Sequence, residues 1–286
     1  MVNMTAFSTQ IDAKKSPRLR ALLNPFSALL WHRSLVWELS KRDVLGRYRG
    51  ASFGLLWALI SPFLVLGVYT FAFGFVMKNK WPQVEGGQTH FSIILFVALI
   101  VHGLFSECLT RSPSLVVSQP NFVKKVIFPL QILPWPMLLS ALFHAFMNLM
   151  VFMLLRLFME GTIAWTIIFF PVVILPLAML SLGVAWALAA LGVYLRDIGQ
   201  ITGVMSTALL FMSSAMIPLS SVPASYRGWF ELNPLTFIID QAREVCLWQH
   251  MPDWQGLGIY AVIALAVMYA GYGWFASTQR GFADVL

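Results

Sequence analysis

Six stretches of this 286-residue sequence are apolar over lengths that cross a bilayer, and little chain is left between them. A spanning helix takes about 20 apolar residues. The stretches fall at about 51–77, 91–110, 129–158, 163–195, 200–218 and 256–277. The first is uncharged and contains Pro62, which can kink it. The third and fourth are long enough to tilt. Hydrophobic residues make up 59% of the chain and charged residues 11%, against about 25% charged in an ordinary soluble protein. Disorder, a collagen-like chain and a disulfide-stapled module are excluded, and too little charge remains to coat a soluble globule. The expected fold class is an all-α membrane protein with six transmembrane helices.

Charge gives the expected orientation. The net charge is +7 and the mean hydropathy +0.76. Nine of the 19 cations lie in residues 1–50. With that end inside, the inner pieces 1–50, 111–128, 196–199 and 278–286 carry 14 cations, and the outer pieces, with Arg156 at the outer end of the third stretch, carry five. Positive-inside asymmetry therefore predicts both ends in the cytoplasm. No RRM, zinc or helix-turn-helix pattern accompanies the charge, so nucleic acid is not an expected partner.

Three regions are expected. Residues 1–23 read as a flexible basic tail, with no apolar core of a signal peptide behind the charges. Residues 24–50 read as an amphipathic interface helix, with Asn24 as N-cap and Pro25 first in the helix. Phe26, Leu29, Leu30, Val36, Trp37, Val44 and Tyr48 share its apolar side, away from Trp31, Leu35 and Leu39. A longer first helix is the alternative. Residues 51–286 form the membrane domain, with a polar, Gly-rich loop at 78–90. Its outer segment 219–255 is split by Pro223 and Asn233-Pro234. There Leu235, Ile238, Ile239, Ala242, Val245 and Cys246 recur at helical spacing opposite Asp240, Arg243 and Glu244. That pattern predicts short helices capping a pathway. Cys108 and Cys246 fall on opposite sides and read as packing residues. Ser181, Gly183, Ala185, Ala187 and Ala189 read as a close helix contact.

No P-loop, HExxH, GxSxG or metal-spaced Cys/His cluster occurs. An ATPase engine is therefore not expected here, nor is an intramembrane enzyme. His102, Glu107 and His144 lie within spans, where ionisable groups are functional candidates. A secondary transporter's relay would show more buried carboxylates, and no inverted repeat is visible.

Arg42-Asp43-Val44-Leu45-Gly46-Arg47-Tyr48-Arg49-Gly50, followed by Gly54, Trp57, Pro62, Tyr69 and Phe71, resembles the first-span signature of ABC-2 type permeases that export polysaccharides. Further matches follow in family order: Asn121 to Pro129 with Leu133-Pro134, Tyr194 to Ile198, and Leu232-Asn233-Pro234 with the helix to Arg243. The resemblance is nearest to O-antigen exporter permeases, with capsule and teichoic-acid permeases as relatives. One departure is Ser214-Ala215-Met216-Ile217-Pro218, where the family often has Ser-Pro followed by an aromatic-Pro. It bears on the geometry of the outer gate.

The resemblance implies a homodimer in the bacterial inner membrane, paired with two copies of a separate ATPase that binds ATP and Mg. The chain itself would carry no cofactor. It also implies a lipid-linked polysaccharide cargo, undecaprenyl-diphosphate-linked as in similar exporters. Lys41, Arg42, Arg47 and Arg49 are placed to meet its pyrophosphate, or else they anchor headgroups. Pro62, Leu66, Tyr69 and Phe73 of the first span, with Thr202, Ser206 and Ser213 of the fifth, would line the conduit. The alternative is that these hydroxyls bond backbone or neighbouring helices. Asn121, Lys124, Lys125, Arg196 and Asp197 would couple to the ATPase, unless the lysines only obey the charge rule. Pro218, Asn233, Pro234 and Arg243 would form the periplasmic gate. The rival readings are an ABC-2 permease for a drug or small lipid, and a stand-alone secondary transporter.

Overall fold

The computed structural model describes residues 24–76, 91–120, 122 and 128–285. The expected tail 1–23, the loop at 78–90, and Asn121, Lys124 and Lys125 lie outside the described residues, as does the side chain of Phe73. Among the described residues the regular structure is entirely helical.

The chain enters through α1 (Pro25–Trp31) and α2 (Arg33–Arg47). The Asn24 side chain accepts from the Phe26 amide at 3.0 Å, and Pro25 opens the helix where no amide is needed. The helix breaks once, at His32. Its packed face differs from the expected one. Ala28, Val36 and Ser40 are buried, Leu35 and Leu39 lie against the core, and Leu30 and Trp37 are exposed. α2 packs along the docking helix α5 (Pro134–Glu160), and α1 rests on the turn at Leu130–Ile132, so Val36 and Ser40 are covered by one and Ala28 by the other.

Among the described residues, five helical runs are long and apolar enough to cross a membrane: Gly54–Ala72, Phe91–Ser114, Leu130–Glu160, Trp165–Tyr194 and Trp254–Val285. The first contains α3 (Trp57–Tyr69), which carries Pro62 and widens into π-helical turns at Thr70–Val76. The second contains α4 (Phe91–Arg111), the most enclosed of them. It packs against α5, α6 (Phe170–Tyr194), α7 (Ile198–Phe211) and α9 (Pro234–Arg243).

α6 and α10 (Trp254–Thr278) pair closely. Gly183 and Gly271 make this possible, because a Cβ on Gly183 would stand 2.6 Å from the Val267 carbonyl oxygen. Ser181, Ala185 and Ala189 are buried on the same helix. Trp186 fills the region below, with its ring edge-on to Tyr272 at 5.1 Å and its Nε1 donating to the Gln131 carbonyl at 2.9 Å.

The stretch expected as a fifth span, 200–218, is not one continuous helix. α7 has 14 residues, about 21 Å at 1.5 Å per residue, short of a hydrocarbon core of about 30 Å. Three side chains end it. Ser213 Oγ donates to the Leu210 carbonyl at 2.7 Å. Asn233 Nδ2 donates to the carbonyls of Leu209 and Met212 at 2.8 and 2.9 Å. Arg243 donates to those of Ser214 and Ala215 at 2.7 and 2.8 Å. Carbonyls that would otherwise be orphaned at a helix end are thereby satisfied. Ser213, Ser214 and Ala215 are fully buried.

Two short helices follow, α8 (Ala224–Leu232) and α9, and wide turns at Glu244–Trp248 close the segment. Their apolar residues Leu235, Ile238, Ile239, Ala242, Val245 and Cys246 are buried as spaced. Arg243 does not lie on a solvent face opposite them: it is wholly buried. Both cysteines are buried and unpaired. The chain ends with α11 (Phe282–Val285).

Candidate functional site

A charged cluster joins α2, α4 and α5 where α2 meets the bundle. Glu107 is at its centre. Its Oε2 accepts from Arg47 Nη1 at 3.3 Å, and its Oε1 accepts from Arg47 Nη2 in a closer contact and from Arg111 Nη1 at 2.8 Å. Arg111 Nη2 donates to Asp43 Oδ1 at 2.5 Å. His144 Nδ1 lies 3.2 Å from both Glu107 Oε2 and Arg47 Nη1. The α-helical repeat positions two of these groups: Glu107 and Arg111 are four residues apart on α4. Asp43 and Arg47 have the same spacing on α2.

Two cavities meet at this cluster, and Arg47 lines both. One, of about 420 Å³, is bounded by Leu39, Arg42, Asp43, Arg111, Gln119 and Met137 among others. The other, of about 340 Å³, runs between α3, α4 and α5. Its walls include Tyr48, Trp57, Pro62, Tyr69, Leu99 and Asn148, with Glu107 and His144 at the charged end. The first is a cationic bay. The second has aromatic walls and a polar floor, suited to a ligand with flat apolar faces and hydroxyls.

Of the interface cations, Arg42 and Arg47 face these cavities. Lys41 is elsewhere, paired with Glu38 at 3.0 Å and with its ammonium 5.4 Å from the centre of the Trp37 ring. Arg49 is exposed in the turn after α2. Pro62 and Tyr69 line the second cavity, and Leu66 is buried on the same helix.

The fifth-stretch residues Thr202 and Ser206 turn inward, not outward. Thr202 Oγ1 donates to the Gly199 carbonyl at 2.9 Å. Ser206 Oγ pairs with Ser106 Oγ at 2.5 Å and lies 3.3 Å from His102 Nε2. His102 Nε2 also lies 3.0 Å from the Ser206 carbonyl, so this histidine joins α4 to α7. The open face of α7 is Ile201, Val204 and Met205. Thr202 and Ser206 thus face their own helix and α4, while Pro62 and Tyr69 line the second cavity.

Arg196 and Asp197 are exposed at the turn between α6 and α7. Pro218 is in extended conformation ahead of a 3₁₀ turn at Leu219–Ser221. Asn233 and Pro234 open α9, where Asn233 Oδ1 accepts from the Leu235 amide at 2.9 Å.

Asp43, Arg111 and Arg156 belong to networks that a residue-by-residue reading of the sequence passes over. Arg111 and Arg156 read there only as loop charges. The signal was the four-residue spacing of Glu107 with Arg111 and of Arg156 with Glu160. Arg156 is buried, with Nη2 donating to the Leu247 carbonyl at 2.9 Å and Nε to Glu160 at 3.1 Å. Among the described residues, no three His, Cys, Asp or Glu side chains gather as a metal site.

Residues 34–247, from α2 to the turns after α9, match the family described as ABC-2 type transporter. The chain belongs to that family. Among ABC-2 relatives it is 27% identical to the O-antigen export system permease protein RfbA of Myxococcus xanthus, over 90% of this chain and 96% of that one. It is 22% identical to the polysialic acid transport protein KpsM of Escherichia coli, over 84% and 91%. A Klebsiella pneumoniae O-antigen export permease is 20% identical over 87% and 93%. The ABC-2 match covers both arms of the charged cluster and the buried Arg243, and stops before α10.

Proposed function

We propose that this chain is the non-catalytic membrane subunit of an ATP-driven exporter that carries a lipid-linked polysaccharide from cytoplasm to periplasm. The observation that carries the reading is the pair of cavities joined at Arg47, within a chain whose relatives are named for O-antigen export and polysialic acid transport. The cationic bay suits a pyrophosphate, since guanidinium forks match phosphate oxygens. Aromatic walls suit sugar faces.

In this reading α7 and the buried segment after it make a sixth crossing, in chain order the fifth. Both ends are then cytoplasmic, in the inner membrane. Two copies pair, with α3 and α7 near the shared axis. α8 and α9 cap the outer end of the path. Two copies of a separate ATPase supply hydrolysis, because the sequence has no P-loop. They dock at residues 112–128 and at Arg196-Asp197.

The test is co-purification of the chain with its ATPase, followed by addition of lipid-linked glycan to the reconstituted complex. The expected result is a stable complex whose hydrolysis rate rises with the glycan and not with free lipid. Uphill transport by the chain without nucleotide would overturn the reading. Reversing the charge of Lys124 and Lys125 should weaken ATPase association; unchanged association would remove the coupling role.

A further inference from the structure

The arginines of the cationic bay already hold an anion, at the charged end of the neighbouring cavity. Glu107 takes both oxygens' worth of contacts from Arg47 and a 2.8 Å bond from Arg111. Arg47 remains accessible, with 39% of its side chain exposed, whereas Glu107 is 14% exposed. Arg42, beside them in the bay, has no acidic partner among the described residues. A carboxylate therefore occupies the cations that an incoming phosphate would need.

His144 makes exchange feasible. Its Nδ1 is 3.2 Å from Arg47 Nη1 and 3.2 Å from Glu107 Oε2. One ring nitrogen cannot accept from the guanidinium and donate to the carboxylate at the same time. The ring is thus set between two arrangements. In one, Arg47 serves Glu107 and His144 Nδ1 accepts. In the other, Arg47 has turned away and His144 Nδ1–H donates to the carboxylate left behind. Arg111 still serves Oε1, but without such a donor Oε2 of this largely buried carboxylate would be left unpaired, which is costly.

We propose that Glu107 is an internal placeholder for a diphosphate group. The diphosphate displaces the carboxylate from Arg47, and His144 takes over as the donor to Glu107. Because Arg47 is on the interface helix and Glu107 and His144 are on α4 and α5, loading would loosen one tie between α2 and the bundle. The Arg111–Asp43 pair keeps the other. This rests on the exporter reading and names what enters the same site.

The placeholder competes with the ligand, so its removal should tighten binding. The full-length chain in zwitterionic lipid nanodiscs is titrated with farnesyl diphosphate, inorganic pyrophosphate and farnesol. Glu107→Gln should bind farnesyl diphosphate about tenfold more tightly than wild type. His144→Ala should bind it more weakly. The double variant should match Glu107→Gln, because no carboxylate is left to satisfy. A purely structural ion pair would give weakened or additive effects.

Tightening with pyrophosphate as well assigns recognition to the anion alone, and tightening with farnesyl diphosphate only assigns it to a lipid-borne diphosphate; both support the proposal. Equal tightening with farnesol overturns it. So does unchanged or weaker diphosphate binding by a folded Glu107→Gln chain. If that variant does not fold, Glu107→Asp, with its shorter reach, should tighten binding to a lesser degree, and no tightening overturns the proposal. A complex that lipid-linked glycan fails to stimulate, while the Glu107→Gln tightening persists, would sink the exporter reading and leave the placeholder standing.

Discussion

Arg243 Nη1 lies 2.7 Å from the carbonyl oxygen of Ser214, and neither residue is open to solvent. With its other nitrogens on Ala215 at 2.8 Å and Ile94 at 3.3 Å, the guanidinium ties α9 to α4 and to the segment after α7. A helix that ends inside a membrane protein needs such donors, because neither lipid nor water can replace them there. Arg suits the task, since its rigid fork reaches several carbonyls at once.

Arg243→Lys should therefore be destabilising even though the charge is kept. An ammonium cannot reach carbonyls on two different segments in the same geometry. At least one carbonyl would lose its partner, at roughly 1–3 kcal/mol. Arg243→Met should cost more, since all three lose their donor. The measurement is the thermal unfolding midpoint of the detergent-purified chain, and a midpoint for Arg243→Lys equal to wild type would refute the clamp.

Asn233 has two separable duties. Its Oδ1 caps α9, and its Nδ2 holds the carbonyls of Leu209 and Met212. Asn233→Ser keeps a capping oxygen and loses the amide donors without placing a charge against two carbonyls, whereas Asn233→Ala loses both. The cap alone is worth about 1 kcal/mol. Asn233→Ala should be the less stable of the two, with the order of midpoints wild type, Ser, Ala. A Ser variant as weak as Ala would show that the cap contributes nothing.

The sequence makes the spans legible because hydrophobic length is a one-dimensional signal: the helices at 91–111 and 254–278 begin and end within two residues of expectation. The Asn24 and Asn233 caps are similarly readable, since each acts on its own neighbours. The end of α7 is not legible. Its donors sit up to 29 residues away in sequence, and the apolar run continues past the last helical residue. The burial of Arg243 hides for the same reason, because spacing alone puts a charge on a wet face. The Glu107 cluster was half visible. Glu107 and His144 stand out as ionisable groups inside spans and Arg47 as a pyrophosphate or headgroup cation, but Asp43 and Arg111 do not join them until α2 is docked.

Gly271 and Gly183 form the tightest crossing in the α6–α10 pair. A Cβ on Gly183 would meet Met268 Cα at 2.7 Å, and one on Gly271 would collide with the Gly183 carbonyl. Gly183→Ala and Gly271→Ala should each cost roughly 1–3 kcal/mol through overpacking. They share one contact, so the double variant should cost less than the sum. Gly273→Ala is the control, with nothing within 4 Å of its Cβ position, and should be neutral or slightly stabilising. Equal midpoints for Gly271→Ala and Gly273→Ala would contradict the close crossing.

The four interface cations divide by position, and export should divide with them. Arg42 and Arg47 border the cationic bay, Lys41 is turned to Glu38 and Trp37, and Arg49 is in an exposed turn. A charge-assisted contact to phosphate is worth about 1.5–3 kcal/mol, which is roughly ten- to a hundredfold in apparent affinity. Arg42→Ala should therefore reduce export and leave lipid-linked glycan on the cytoplasmic side. Arg49→Ala and Lys41→Ala, which remove only general attraction to anionic headgroups, should change export less than threefold. Glycan accumulation in cells producing each variant at wild-type level is the measurement. If Arg49→Ala blocked export as fully as Arg42→Ala, the bay would not be where the phosphates are read, and the cations would act as one electrostatic band along the membrane edge.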